Sequence, residues 1–275
     1  MNHKQINEIQ INVETNISKL DVLNQYYLES EHFFSKLDMF KNQLDTLKEE
    51  IPASVLNLIN CLQDLKHIGK IEKTKVDGIT AKNLYSNFMK YYQPHLTSSD
   101  GNCVWNSVSI SLCGSEVLVK ILRKLTFFTL LAMKDDFLNL IKLDFEHSGI
   151  ENGDVNLKFD DLLHRSKTNG SWGNEFHILA LASFLNKNIY IYSAFKINGK
   201  FKLRKSIDES TLKANFHDIG LNLIYKPISN KRFISKKQVS NLFCFLRSKH
   251  YVSLIPVEDE VYIFPIKNNL FEAKS

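Results

Sequence analysis

From Phe33 the apolar residues fall at Phe33, Leu37, Phe40, Leu44, Leu47 and Ile51, spaced 4-3-4-3-4. That spacing keeps one stripe on a single helix face, as in a coiled-coil seam. Pro52 ends it, since proline has no N–H for the helix ladder. A second helical pattern follows at Val55, Leu56, Ile59, Leu62 and Leu65. Residues 1–68 therefore read as a helical hairpin or extension. Its seam either packs against the rest of the chain or presents a face to a partner or a second copy. The polar stretch GKIEKTKVDG (69–78) reads as a linker. A short helix is expected over 81–92, running up to Pro94. Beyond it, Leu118, Ile121, Leu122, Leu125 and Phe128 repeat at helical spacing, with Ser115 placed to cap that helix.

The pattern changes in the second half. In NGSWGNEFHILALASFLNKNIYIYSAF the order is turn, helix, strand. Asn174 is placed to cap a helix bearing Phe176, Leu179, Ala180 and Phe184, and 188–195 is β-branched and aromatic, as strands are. Further strands are expected at 200–203, 221–225, 250–256 and 261–265, the last two flanking a VEDE turn. Helices early and strands late give an α+β (α/β) domain, here bounded at 79–268, with a central mixed, mostly antiparallel sheet.

Composition narrows the function. Of 275 residues 44% are hydrophobic and 24% charged, so a large core is available. The net charge of +5 is small for a dedicated nucleic-acid binder. The basic runs KFKLRK (200–205) and NKRFISKK (230–237) read as solvated faces, a nucleic-acid patch being the sharper alternative. Residues 1–19 are polar and lack a signal-peptide core, and no stretch approaches the roughly 18 apolar residues of a membrane span. The four cysteines, Cys61, Cys103, Cys113 and Cys244, form no CxxC pair. The expectation is free thiols in a reducing compartment, the cytoplasm of the producing cell or of a host cell reached by secretion. The nine histidines show no metal spacing, and no phosphate-binding glycine pattern occurs, so neither metal nor cofactor is expected.

One stretch carries chemistry. In TSSDGNCVWNSVSISLCG (97–114), Cys103 follows an Asp-Gly-Asn turn and opens an apolar run. A cysteine there is either a buried small hydrophobe or a nucleophile. The turn supplies backbone amides that can face an oxyanion, and a helix beginning at Cys103 would favour the thiolate and lower its pKa. Near the C-terminus, KHYVSLIPV places His250 at the start of a strand. Cys61, Cys113 and Cys244 lie in apolar patterns and read as packing, and His177 reads as a surface or boundary residue.

DGNCVWNSVS resembles the cysteine-box of the OTU (ovarian tumour) cysteine proteases. SWGNEFHILALASFLNKNIYIYS resembles their Trp-Gly, helix, strand segment, and HYVSLI resembles their histidine-box. The three blocks stand in the family's order between Asp100 and Ile255. The resemblance implies a papain-like thiol hydrolase, usually a deubiquitinase, whose partners are ubiquitin, polyubiquitin chains or a ubiquitin-like modifier. It implies Cys103 as nucleophile and His250 as the base that takes its proton and returns it to the leaving amine. The amides of Gly101, Asn102 and Cys103 would form the oxyanion hole. Asp100 would shape that turn or polarise the site, and Trp172 and Gly173 would position a substrate-facing loop.

The sequence departs from the family at one place. Many members carry Asp or Asn two residues after the histidine, on the same strand face, where it fixes the imidazole tautomer. Here that residue is Val252, while Ser253 faces the other way. The third group then comes from Asp100, from Asn174 or from nowhere. The last case leaves room for a catalytically degenerate copy that only binds.

Overall fold

The structure is a computed structural model that describes residues 3–39, 51–65, 75–83, 92–193, 196–197, 200–201, 220–225, 240–247 and 250–256. Helix α1 spans His3–Met39 and α2 Ala53–Gln63. Ser30 hides the stripe that α1 buries. Leu23, Tyr27, Ser30, Phe34 and Leu37 are all buried at alternating four- and three-residue spacing, and the Ser30 hydroxyl donates back to the Tyr26 carbonyl. The helix therefore begins well before the seam read from Phe33, whose continuation through Phe40, Leu44 and Leu47 lies outside the described residues. The hairpin shares one core with the rest of the chain. Phe33 meets Phe128 edge-on at 5.7 Å, and Gln63 Nε2 donates to the Phe184 carbonyl at 2.7 Å.

After α3 (Gly78–Asn83) and the edge strand β1 (Tyr92–His95) come five helices: α4 (Cys103–Cys113), α5 (Val119–Ala132), α6 (Lys134–His147), α7 (Val155–Lys167) and α8 (Glu175–Leu185). Strands β2 (Lys187–Ser193), β3 (Lys196–Ile197), β4 (Lys200–Phe201), β5 (Gly220–Tyr225), β6 (Ser240–Arg247) and β7 (His250–Pro256) follow. The five-stranded sheet has the order β1-β7-β6-β2-β5, and β3 and β4 form a separate two-stranded ribbon. Only the β2–β6 pair in that sheet is parallel. Helix α4 packs on β7, and α5 packs on α7 and α8. The fold is α+β, with α4 on the sheet face that carries Cys244 and Ser253.

Several elements differ from the sequence reading. Tyr92 and Pro94 belong to strand β1, not to a helix end, and an edge strand tolerates the proline. Val76 bridges to His95, so the end of the expected linker is held on the sheet. Helix α5 starts at Val119 without a side-chain cap. Gly114 ends α4 in a left-handed conformation, and the Ser115 carbonyl accepts from Ser109. β6 went unread because both of its faces are apolar, which hides the two-residue period. The strand expected at 261–265, the VEDE turn and most of the two basic runs lie outside the described residues. Among the described residues no helix is long and apolar enough to cross a membrane.

Candidate active site

The turn before α4 is fixed by a small polar network. Asp100 Oδ1 accepts from the Asn102 backbone N–H (2.9 Å) and from Asn106 Nδ2 (3.0 Å), and Asp100 Oδ2 accepts from Asn102 Nδ2 (2.8 Å). Gly101 sits at φ +86°, and a Cβ there would lie 1.8 Å from the Gly170 carbonyl oxygen. Only glycine fits, on both counts. Burial pushes the Asp100 carboxyl up, but the hydrogen bonds from Asn102 and Asn106 outweigh it and hold the group below its ordinary value. Asp100 thus shapes the turn.

The same network corrects one expectation. The Asn102 N–H is taken by Asp100, so it is not a free oxyanion donor. The other two amides of the turn are those of Gly101 and Cys103. What Asn102 contributes is its side chain, which is buried and whose Oδ1 accepts from Arg123 (2.9 Å) and from the Gly170 N–H (3.0 Å).

Cys103 is the first residue of α4 and is 4% exposed. Its thiol stands above the ordinary value, not below it as the helix start alone suggests. Burial is the largest cause, and the N–H groups of Tyr251, Val104 and Cys103 itself pull the other way without overcoming it. Burial takes hydration away from the charged thiolate, and in this nearly dry site that cost exceeds what the amides return. The Tyr251 N–H belongs to the residue after His250, so the sulfur rests against the start of β7.

On β7, Val252 is wholly buried two residues after His250, and Ser253 faces α4, its hydroxyl 2.6 Å from that of Ser111. The two candidates for a third catalytic group have local tasks. Asp100 serves its turn, and Asn174 caps α8, its Oδ1 accepting the His177 N–H at 3.4 Å. His177, read from sequence as a surface residue, is instead fully buried. Its Nε2–H donates to the Leu162 carbonyl (3.1 Å), and its Nδ1 accepts the Asn174 N–H (3.1 Å). Burial holds it down at about 4, and the positive charges of Arg123 and Arg165 add to that. The ring meets Trp105 edge-on at 5.5 Å. Gly173 lies flush on this layer, where a Cβ would come within 3.1 Å of Trp105 and Val104, and its neighbour Trp172 is 50% exposed.

Sequence reading missed Arg123. It shares α5 with Lys120 and Lys124, and a cation in such an amphipathic pattern looks solvated. It is 5% exposed. Its guanidinium donates to Asn102 Oδ1 and to the carbonyls of Ser171, Arg165 and Thr168, and it lies 3.9 Å over the Trp105 ring. Burial brings it down to about 10. A signal was present in the chain, since an arginine within LVKILRKLTFFTLL must find partners if that helix is buried.

Residues 98–236 match the family of OTU-like cysteine proteases, just over half the chain. The chain belongs to that family. The OTU match covers the cysteine turn and α4 to β5, and stops before His250. No curated protein matches the chain. Among solved structures, the OTU domain of OTUD1 is 17% identical, with 64% of this chain and 93% of that one covered and a TM-score of 0.41. The viral OTU protease of Farallon virus is 15% identical, with 60% and 85% covered and a TM-score of 0.38. The Hazara virus OTU, solved bound to ubiquitin, is 11% identical, with 62% and 84% covered and a TM-score of 0.35. Among the described residues no group of His, Cys, Asp and Glu is placed to hold a metal ion.

Proposed function

We propose that this OTU-family protein is a thiol-dependent deubiquitinase that hydrolyses peptide or isopeptide bonds after the C-terminal glycine of ubiquitin or a ubiquitin-like modifier. The observation that carries this reading is the packing of α4, which begins at Cys103, against β7, which begins at His250. Cys103 attacks the scissile carbonyl as His250 removes its proton. Because burial keeps the resting thiol protonated, that transfer accompanies attack and does not precede it as a standing ion pair. The oxyanion that forms is received by the Gly101 and Cys103 amides at the start of α4. His250 then protonates the leaving amine, and water hydrolyses the thioester. Exposed Trp172, on a loop held flat by Gly173, would wall a channel narrow enough to favour a Gly-Gly tail. Such a thiol needs a reducing compartment, which fits the four free cysteines.

A second reading, a degenerate module that binds ubiquitin without cleaving it, draws on Val252 and on the local tasks of Asp100 and Asn174. A ubiquitin probe with a thiol-reactive C-terminus separates the two. The expected result is one covalent adduct at Cys103, absent in Cys103→Ala, together with cleavage of at least one member of a diubiquitin panel. Ubiquitin binding without an adduct would favour the module. Neither binding nor adduct would overturn both.

A further inference from the structure

We propose that Arg123 is a positioning residue for the nucleophile turn, acting through the Asn102 side chain to hold the Gly101 and Cys103 amides where an oxyanion meets them. The inference rests on the deubiquitinase reading and names a residue that the reading does not require. A lone buried guanidinium is costly unless its donors are met. Here the Nη1 and Nη2 groups are met by neutral oxygens from three segments, Asn102 of the cysteine turn, Ser171 and Thr168 of the loop before Trp172, and Arg165 of α7, while the buried Nε–H has no partner among the described residues. Two of those oxygens, the Arg165 and Thr168 carbonyls, lie at the α7 C-terminus, where a cation is favoured. The ring of Trp105, two residues beyond Cys103 on α4, covers the guanidinium face.

The geometry makes Asn102 the link. Its side chain donates to Asp100 and accepts from Arg123 and Gly170, so three of its four hydrogen-bonding positions are filled and the amide's orientation is fixed. The residues on either side of it, Gly101 and Cys103, carry the two amides that would meet the oxyanion. On the other side of the turn the Gly170 carbonyl touches Gly101, and the loop that Gly170 belongs to is the one Arg123 grips. The Arg123 guanidinium and the Gly170 N–H both reach the turn through Asn102 Oδ1, so Asn102 is the point at which Arg123 acts on it. Lysine cannot replace it, since a single ammonium cannot span oxygens held by three segments.

The test uses the full chain with Arg123→Lys, Asn102→Ala and the double variant. Two readouts are taken only under conditions where circular dichroism shows each protein folded. The first is kcat and KM on a fluorogenic ubiquitin amide. Arg123→Lys is expected to lower kcat about 10²-fold, the scale of a displaced oxyanion donor, with KM within about threefold. The double variant should lose little more than the worse single variant, because both act on one link. The second needs no ubiquitin. The pH dependence of Cys103 alkylation by iodoacetamide, followed by mass spectrometry of the Cys103 peptide, reads the amides around the sulfur. Its midpoint should rise in Arg123→Lys. A folded Arg123→Lys protein with wild-type kcat and midpoint, or with losses that add to those of Asn102→Ala, would overturn the proposal. If Arg123→Lys does not fold, Asn102→Ala alone decides, and a wild-type midpoint and kcat in it would again overturn the link. A wild-type protein that fails on ubiquitin sinks the deubiquitinase reading instead, and the alkylation midpoint still judges Arg123.

Discussion

The two sides of the site are built differently. On the cysteine side, position is set by polar groups that saturate one another: Asp100, Asn102, Asn106, Arg123 and the Gly170 backbone. On the histidine side, β7 is held between β1 and β6 by its ladder, and the position after next on the histidine's face is the buried aliphatic Val252. A polar network fixes direction through side-chain hydrogen bonds, whereas a strand fixes position through its backbone ladder. The difference teaches that the first side tolerates almost no change of residue type, while the second has room to gain.

Gly101→Ala should have the largest effect. It forces a side chain into the left-handed region and into the Gly170 carbonyl, so turnover on a ubiquitin amide should drop on the order of 10³-fold. A folded Gly101→Ala enzyme with near-normal kcat would show that the cysteine side is not rigid. Next is Asp100. Asp100→Ala removes three accepted hydrogen bonds and should cost about 10²-fold in kcat. Asp100→Asn keeps an oxygen for the Asn102 amide and should recover to within about tenfold of wild type. If the asparagine variant instead loses about 10⁴-fold, as a triad carboxylate would, Asp100 orients the imidazole and the two sides are one network.

The cysteine side should also be the acid-labile one. His177 is held at about 4 in the folded protein against an ordinary value of 6.5, so the unfolded chain binds its proton first as pH falls. The stability it contributes is complete above pH 6.5 and is lost as pH drops towards 4, a span of about 3 kcal/mol. Urea unfolding at pH 7 and pH 4.5 should show most of that loss, and His177→Gln should flatten the difference. An unchanged difference in His177→Gln would place the acid sensitivity elsewhere. The smallest effect is expected from Val252→Asn. It buries an amide at a cost of about 1–3 kcal/mol, but it offers the imidazole a partner, and kcat should rise by less than about tenfold. A fall in kcat in the folded variant would mean that His250 is already well oriented.

Legibility in the sequence follows the same division. The cysteine turn could be read because backbone demands leave few choices. Gly101 needs a positive φ, Asp100 and Asn102 form a local turn, and a helix must follow. β7 could be read from its residue types alone. Arg123 and His177 could not. Arg123 shares its helix with Lys120 and Lys124, His177 stands between apolar neighbours, and what decides their roles is the Ser171 loop and the Leu162 carbonyl, brought up from distant parts of the chain. Ser30 shows the converse, a polar residue that broke a readable stripe yet is buried because its hydroxyl returns to its own helix. The clash of burial with helix-end amides at Cys103 is likewise a question of depth, which no spacing reports.

The shared core of the helical hairpin bears on how the chain is made. α1 and α2 leave the ribosome before the surfaces that cover them, α5 and α8, which begin at Val119 and Glu175. Gln63 waits 121 residues for its acceptor on Phe184. Until then, Leu23, Phe34, Leu58 and Leu62 have only one another, and loop closure over that distance is slow. The order of synthesis thus leaves the apolar stripe of the hairpin without α5 and α8 until those helices have emerged. Ribosome-stalled chains ending before residue 180 should be protease-sensitive throughout the hairpin, and chains ending well past 187 should be protected there. Protection of the hairpin in the shorter chains would show that it folds alone.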